Sequence, residues 1–202
     1  MYKNKQIYFG IIILILWHIF MLFCYNSPKV SDMYYQYYIK GGIEKWNRGI
    51  GSRYSYGDRI DFRKGGNSSD YILCGFSDQE KMGTWTCSEN VYLFLLLNST
   101  TKRDVNLYMS AFPFVSDKHQ TLIIEVSVNG VAVKKLKYLI SNSSQSLQII
   151  KINNNIISSN KGNIVVEVKA KDLVSPSELG LSNDTRKLGL CVDSIMLKEI
   201  EK

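Results

Sequence analysis

The chain has 202 residues, 45% of them hydrophobic and 21% charged, with a formal net charge of +7, two histidines and four cysteines. That length suits one domain with a short additional segment. The positive residues are scattered rather than massed among aromatic side chains, which excludes a dedicated nucleic-acid binder. The densest basic cluster is Lys134, Lys135 and Lys137, with Arg59, Arg63 and Lys64 a second.

Residues 7–25 carry no Asp, Glu, Lys or Arg, and His18 is the one basic side chain among them. As a helix this run of nineteen residues would span about 28 Å, close to the hydrocarbon thickness of a bilayer. It ends in Met21, Leu22, Phe23, Cys24 and Tyr25, with no small-residue cleavage triplet. The expectation is an uncleaved anchor in the cytoplasmic (inner) membrane. Lys3 and Lys5 precede the run, which keeps the N-terminus inside and places the rest in the periplasm or outside. Trp17, Tyr25 and the cluster Tyr34, Tyr35, Tyr37 and Tyr38 suit either the headgroup level or the start of the domain's packing. The chain thus divides into 1–26, cytoplasmic tip and transmembrane anchor; 27–55, a juxtamembrane linker with a short helix near residues 43–46; and 56–202, an extracytoplasmic domain.

From Tyr56 the patterning has period two. Ile60 and Phe62 alternate with Asp61 and Arg63, and Gly65-Gly66-Asn67 is a turn. Residues 71–76 read as a second strand, residues 83–86 as a short one, and residues 91–97, apolar on both faces, as a central one. Residues 105–112 alternate. Residues 121–128 are the clearest strand, and Asn129-Gly130 supplies the dipeptide of a two-residue type I′ turn into residues 131–139. Residues 147–152 and 163–170 read as a further strand pair around an Asn/Ser-rich loop pinned by Ile156 and Ile157. Residues 188–200 give the last strand. Many short strands with almost no helical signal mean an all-β, jelly-roll-like β-sandwich behind a single N-terminal transmembrane helix.

Cys74 and Cys87 bracket a hairpin and form a possible disulfide, whereas Cys191 lies in an apolar strand as a buried thiol. No cysteine pair has zinc-ligand spacing, and lone carboxylates such as Asp58 or Asp193 lack a dense calcium loop, so neither metal nor cofactor is expected. His119, in the turn formed by residues 116–119, is the one histidine outside the apolar run and reads as exposed. No nucleophile elbow or phosphate loop is present. A glycosidase would need paired carboxylates, for which Asp78 with Glu80 is the nearest pair. Catalysis is not expected.

Several short motifs occur in one order: Gly75-Phe76-Ser77-Asp78-Gln79-Glu80, Gly83-Thr84-Trp85-Thr86, Pro113-Phe114, Val126-Ser127-Val128-Asn129-Gly130, Ser175-Pro176-Ser177-Glu178-Leu179-Gly180 and Asp184-Thr185-Arg186-Lys187-Leu188-Gly189. The set resembles an uncharacterised carbohydrate-module-like β-sandwich domain at the C-terminal, extracytoplasmic end of bacterial membrane glycosyltransferases and phosphoglycerol transferases. The resemblance covers about residues 56–200. It departs from those relatives in having one apolar run in place of a catalytic domain or many spans, so their transferase activity is not carried over, and in having Cys87 where a turn glycine is more usual.

The candidate ligand residues are Trp85, Glu80, Glu178, Asp184 and Arg186. Trp85 is either an aromatic platform for a sugar ring or core filling. Glu80 is either a hydroxyl acceptor or a turn residue. Asp184 and Arg186 form a local salt bridge or contact ligand, and Glu178 is placed with them. The expected function is a non-catalytic accessory domain that binds an envelope glycan or lipid-linked sugar, or docks to a polytopic membrane glycosyltransferase. The alternative is a structural interaction subunit with no ligand of its own.

Overall fold

Alternating burial builds two six-stranded sheets in the computed structural model, which describes residues 2–26, 52–160 and 163–201. The chain divides into two compact units, Met1–Tyr35 and Gln36–Lys202. In the second unit, sheet A contains β1 (Ser52–Tyr54), β3 (Ile72–Cys74), β6 (Asn90–Leu97), β8 (Thr121–Val128), β9 (Val131–Leu139) and β11 (Asn163–Ala170). Sheet B contains β2 (Arg59–Asp61), β4 (Phe76–Gln79), β5 (Thr84–Thr86), β7 (Val105–Pro113), β10 (Ser146–Ile152) and β12 (Leu190–Glu199). The strand orders are β1-β6-β11-β8-β9, with β3 also on β6, and β10-β7-β12-β5-β4, with β2 also on β12.

The β-sandwich expected from the period-two runs is therefore present. Val91, Leu93, Leu95 and Leu97 of β6 face Leu107, Met109, Ile195 and Leu197 in the main core. The other face of β6 is covered too: Tyr92 and Phe94 join Leu73 and Cys74 in a smaller cluster. Burial on both sides is why this strand reads as an unbroken apolar run. The β8–β9 hairpin turns on Asn129 and Gly130 with φ of 49° and 79°, and Val128 pairs with Val131, as a type I′ turn requires.

Three expectations are corrected. Residues 147–152 and 163–170 do not pair with each other: β10 pairs with β7 in sheet B, and β11 lies between β6 and β8 in sheet A. The reason is the connection. It holds a short helix, α2 (Asn154–Ser158), whose fully buried Ile157 carries the chain across the end of the core instead of turning it back. The strand expected over residues 71–76 is split at Gly75 into β3 and β4, which belong to different sheets. Pairing also begins upstream of Tyr56, where β1, inside the stretch read as linker, lies parallel to Leu95, Leu96 and Leu97. The short helix expected near residues 43–46 and the Tyr34–Tyr38 cluster lie outside the described residues.

Tyr54, at the end of β1, is 1% exposed and fastens β1 to the last strand. Its hydroxyl donates to the Asp58 carbonyl at 2.6 Å and accepts the Leu197 N–H at 2.8 Å. Burial pushes this phenol up to about 12. Tyr54→Phe is expected to lower stability by about 1–3 kcal/mol, because the Leu197 N–H loses its acceptor. The wild-type folded state holds the phenolic proton more tightly than the unfolded chain does. The wild-type contribution is therefore complete below about pH 10 and fades as pH rises towards 12, so the deficit of the variant should narrow over that window in urea titrations.

The first unit contains a helix, α1 (Tyr2–Asn26), in which every side chain described from residue 10 to residue 22 is exposed. His18 is satisfied along the helix by the Leu14 carbonyl at 2.8 Å from its Nδ1. Among the described residues no helix is long and apolar enough to cross a membrane.

Candidate functional site

Trp85 is the middle residue of β5, flanked by the fully buried Thr84 and the nearly buried Thr86. Alternation sends the indole the other way, onto the outer face of sheet B, where it is half-buried. It is not among the residues of the main core. Cys191 of β12 pairs with Trp85 on one side and with Phe112 of β7 on the other, so the three form one lateral row. The indole meets Phe112 at 5.2 Å and 83°, and Phe114 at 6.0 Å and 90°. These edge-to-face contacts fix the ring orientation. Cys191 is the buried free thiol expected from sequence, pushed up to about 12 by burial, with the Glu80 charge adding to it.

Two rows further along β12, beyond the Ser194–Ser110 pair, the same face is apolar again. Met196 pairs with Tyr108, which pairs with Ile149 of β10, and Arg59 of β2 lies on the other side of Met196. Ile149 and its strand neighbour Leu147 are 51% and 60% exposed. Phe112, Tyr108 and Met196 were not singled out from sequence; in a strand that alternates cleanly, the outward residues resemble any solvated face.

The loop residues form an ion-pair network beside β5. Arg186 donates from Nε and Nη2 to Asp184 at 3.1 and 2.6 Å, and from Nη1 to Glu80 at 2.9 Å. The guanidinium holds the Asp184 carboxyl below its usual range, chiefly through its side-chain hydrogen bond, and the two carboxylates raise Arg186. Glu80 sits in a tight turn, with N–H bonds exchanged between Glu80 and Gly83. Arg186 thus ties the loop before β12 to the turn before Trp85. Glu178 takes a different role. Its carboxylate accepts the Ser175 N–H at 2.8 Å while Ser175 Oγ accepts the Glu178 N–H at 3.2 Å, a reciprocal box that closes the Ser175–Gly180 turn and lowers the Glu178 carboxyl. Lys118 donates to the Leu179 carbonyl at 2.8 Å and pins that turn.

Other expected groups are placed as follows. Cys74 is buried on β3, and Cys87 is half-buried just after β5, with its N–H on the Gly75 carbonyl at 2.8 Å. Asp193 sits at a bulge in β12 and is held by Arg59 at 3.0 Å and Arg63 at 3.5 Å, so guanidinium groups occupy its charge. His119 is half-buried, with Nε2 enclosed, rather than exposed, because Ser116 and His119 bridge back to back.

No family model matches the chain, and no curated protein matches it. Among solved structures it resembles the CBM36-1 domain of a multidomain xylanase from the hindgut metagenome of Trinervitermes trinervoides, at 10% identity and a TM-score of 0.40, over 72% of this chain and 98% of that one. It resembles a family 35 carbohydrate binding module from Clostridium thermocellum at 12% identity and a TM-score of 0.41, over 71% and 100%. It also resembles a family GH115 4-O-methyl-alpha-glucuronidase at 15% identity and a TM-score of 0.44, over 77% of this chain but 19% of that one. At this level the likeness is one of general shape, two packed β-sheets, and the residues of the outer face have to speak for themselves.

Proposed function

We propose that this chain is a non-catalytic module that binds a glycan across the outer face of sheet B. The observation that carries the reading is Trp85: a half-buried indole, oriented by Phe112 and Phe114, on a face that continues through Tyr108 and Met196. Sugar rings bind aromatic surfaces through their C–H faces, and a few polar groups at the rim fix orientation. Glu80 and Arg186, linked to each other beside β5, are the polar candidates, with Asp184 holding Arg186 in place. The use of Glu80 in that ion pair also argues against a hydrolytic pairing with Asp78. The family resemblance drawn from the motifs points to envelope glycans or lipid-linked sugars as ligands.

The test is titration of the full chain, in uncharged detergent, against an array of neutral envelope oligosaccharides, followed by tryptophan fluorescence. Trp85→Ala is expected to weaken binding about tenfold or more, the usual loss of a buried aromatic anchor. Binding by no glycan on the array would refute the reading.

Membrane attachment, docking to a glycosyltransferase and a Cys74–Cys87 bridge belong to the same proposal and rest on sequence. Ile7, Phe9, Phe23 and Cys24 extend the apolar run of α1 at both ends, and Lys3 and Lys5 precede it. Release of the chain by alkaline carbonate would dismiss the anchor, and free thiols at both positions in non-reducing peptide maps would dismiss the bridge. A second reading, an interaction subunit without a ligand, is favoured by one observation: Leu147 and Ile149 stand exposed on β10, at the edge of sheet B. Recovery of a polytopic membrane protein with the wild type but not with Leu147→Glu/Ile149→Glu would select it.

A further inference from the structure

On the outer face of sheet A a groove of about 420 Å³ runs across β11, β8 and β9. Ile123, which is exposed, lines it together with Lys135, Lys169, Lys171, Glu125 and Asp172. The register explains the convergence. Glu125 pairs with Lys135 on one side and Lys169 on the other, so the two lysines stand two strand spacings apart, about 10 Å, with the carboxylate between them. Lys171 and Asp172 follow β11, and Asp172 has a φ of 57°, which turns the chain at the groove's end.

The cations of the sandwich are of two kinds, those in ion pairs and those without one. Arg59, Arg63, Arg103, Arg186 and Lys151 each lie against a carboxylate. Among the described residues, no ion pair or side-chain hydrogen bond engages Lys135, Lys169 or Lys171, although Glu125 is the strand neighbour of Lys135 and Lys169. Three ammonium groups and two carboxylates around one concavity leave it with a net charge of +1, and the apolar Ile123 among them makes it more than a charged surface. A flat anionic membrane would be repelled by Glu125 and Asp172. A sugar chain bearing acidic groups would use both sets, with anions on the lysines, hydroxyls on the carboxylates and a ring face on Ile123.

We infer that this groove is a second ligand site, separate from Trp85, which binds an acidic glycan through sugar-borne carboxylate or phosphate groups. The full chain, in uncharged detergent, is titrated with oligogalacturonate for the carboxylate source, a glycerol phosphate oligomer for the phosphate source, and a dextran oligomer as the neutral control. One or both anionic probes should bind, with affinity falling as salt rises, and dextran should not occupy this groove. Lys135→Ala/Lys169→Ala/Lys171→Ala should weaken the anionic probe about tenfold, as expected for the loss of three modest charge contacts. Lys64→Ala/Lys81→Ala/Lys102→Ala, which removes the same charge elsewhere, should change it less than about twofold. Trp85→Ala should leave it intact, so failure of the outer-face reading of sheet B and failure of this one are separable. Equal weakening by both triple variants, loss in Trp85→Ala, binding to neither anionic probe, or capture by phosphatidylglycerol vesicles alone would each overturn the assignment.

Discussion

Asn129→Ala is expected to remove about 3–4 kcal/mol of stability, a large share of what a domain of this size has to lose. The residue does two things at once. Its backbone adopts a φ of 49°, which alanine tolerates poorly. Its side chain is a junction: Nδ2 donates to the carbonyls of Ile156 at 2.9 Å and Asn163 at 3.1 Å, and Oδ1 accepts the Val165 N–H at 2.8 Å. Asn160 adds a longer bond to the same oxygen, at 3.3 Å. One turn residue of β8–β9 therefore holds α2 and the start of β11. Asn129→Gly separates the two roles. It keeps the turn conformation and loses the junction, so it should recover about 1 kcal/mol relative to alanine. Urea denaturation of the three proteins measures both steps. Equal stability of wild type and Asn129→Gly would show that the junction carries no weight.

That residue also marks where the sequence stops being readable. Asn129-Gly130 is a local signal, since the two-residue turn demands positive φ in adjacent residues, and the flanking strands, β8 and β9, fall where their alternation put them. Residues 91–97 were legible as a central strand because burial on both faces leaves no polar residue in the pattern. What the side chain of Asn129 does was not legible, because its partners lie 27 to 36 residues further along the chain. The same distance hid the sheet change between β10 and β11: each strand is locally well patterned, and nothing in either states which sheet it joins. The candidate site divides along the same line. Asp184 and Arg186, two residues apart, form the expected salt bridge, and their bond to Glu80 spans 106 residues. Glu178 was placed with them on proximity, whereas its own motif, Ser175 followed three residues later by Glu178, was the signal for the reciprocal turn box it forms. The lysines of the groove were half visible. Lys135 belongs to the dense basic cluster, but Lys169 and Lys171 reach it only through the pairing of β11 with β8.

Gly83→Ala is expected to cost about 3–5 kcal/mol and to free β5 from β12, a backbone collision rather than a lost contact. A Cβ on this residue would lie 2.3 Å from the Val192 carbonyl oxygen, 2.9 Å from its carbon and 3.1 Å from Cys191 Sγ, and φ is +152°. Neither the β12 backbone nor the buried sulfur can retreat without disturbing the row that orients Trp85. Gly57 provides the control. Its φ of +97° is also unfavourable to alanine, but a Cβ there meets nothing within 4 Å. Gly57→Ala should therefore cost only the conformational share, about 1–2 kcal/mol. If thermal or urea unfolding ranked the two substitutions equally, the close approach of β5 to β12 would not be what Gly83 provides. The ranking bears on the glycan reading as well. Gly83 touches no exposed surface of the outer face, so any glycan binding lost in Gly83→Ala must come through displacement of Trp85. That loss should be accompanied by a shift in tryptophan emission without ligand, whereas Glu80→Gln, on the same turn, should alter affinity with the emission unchanged.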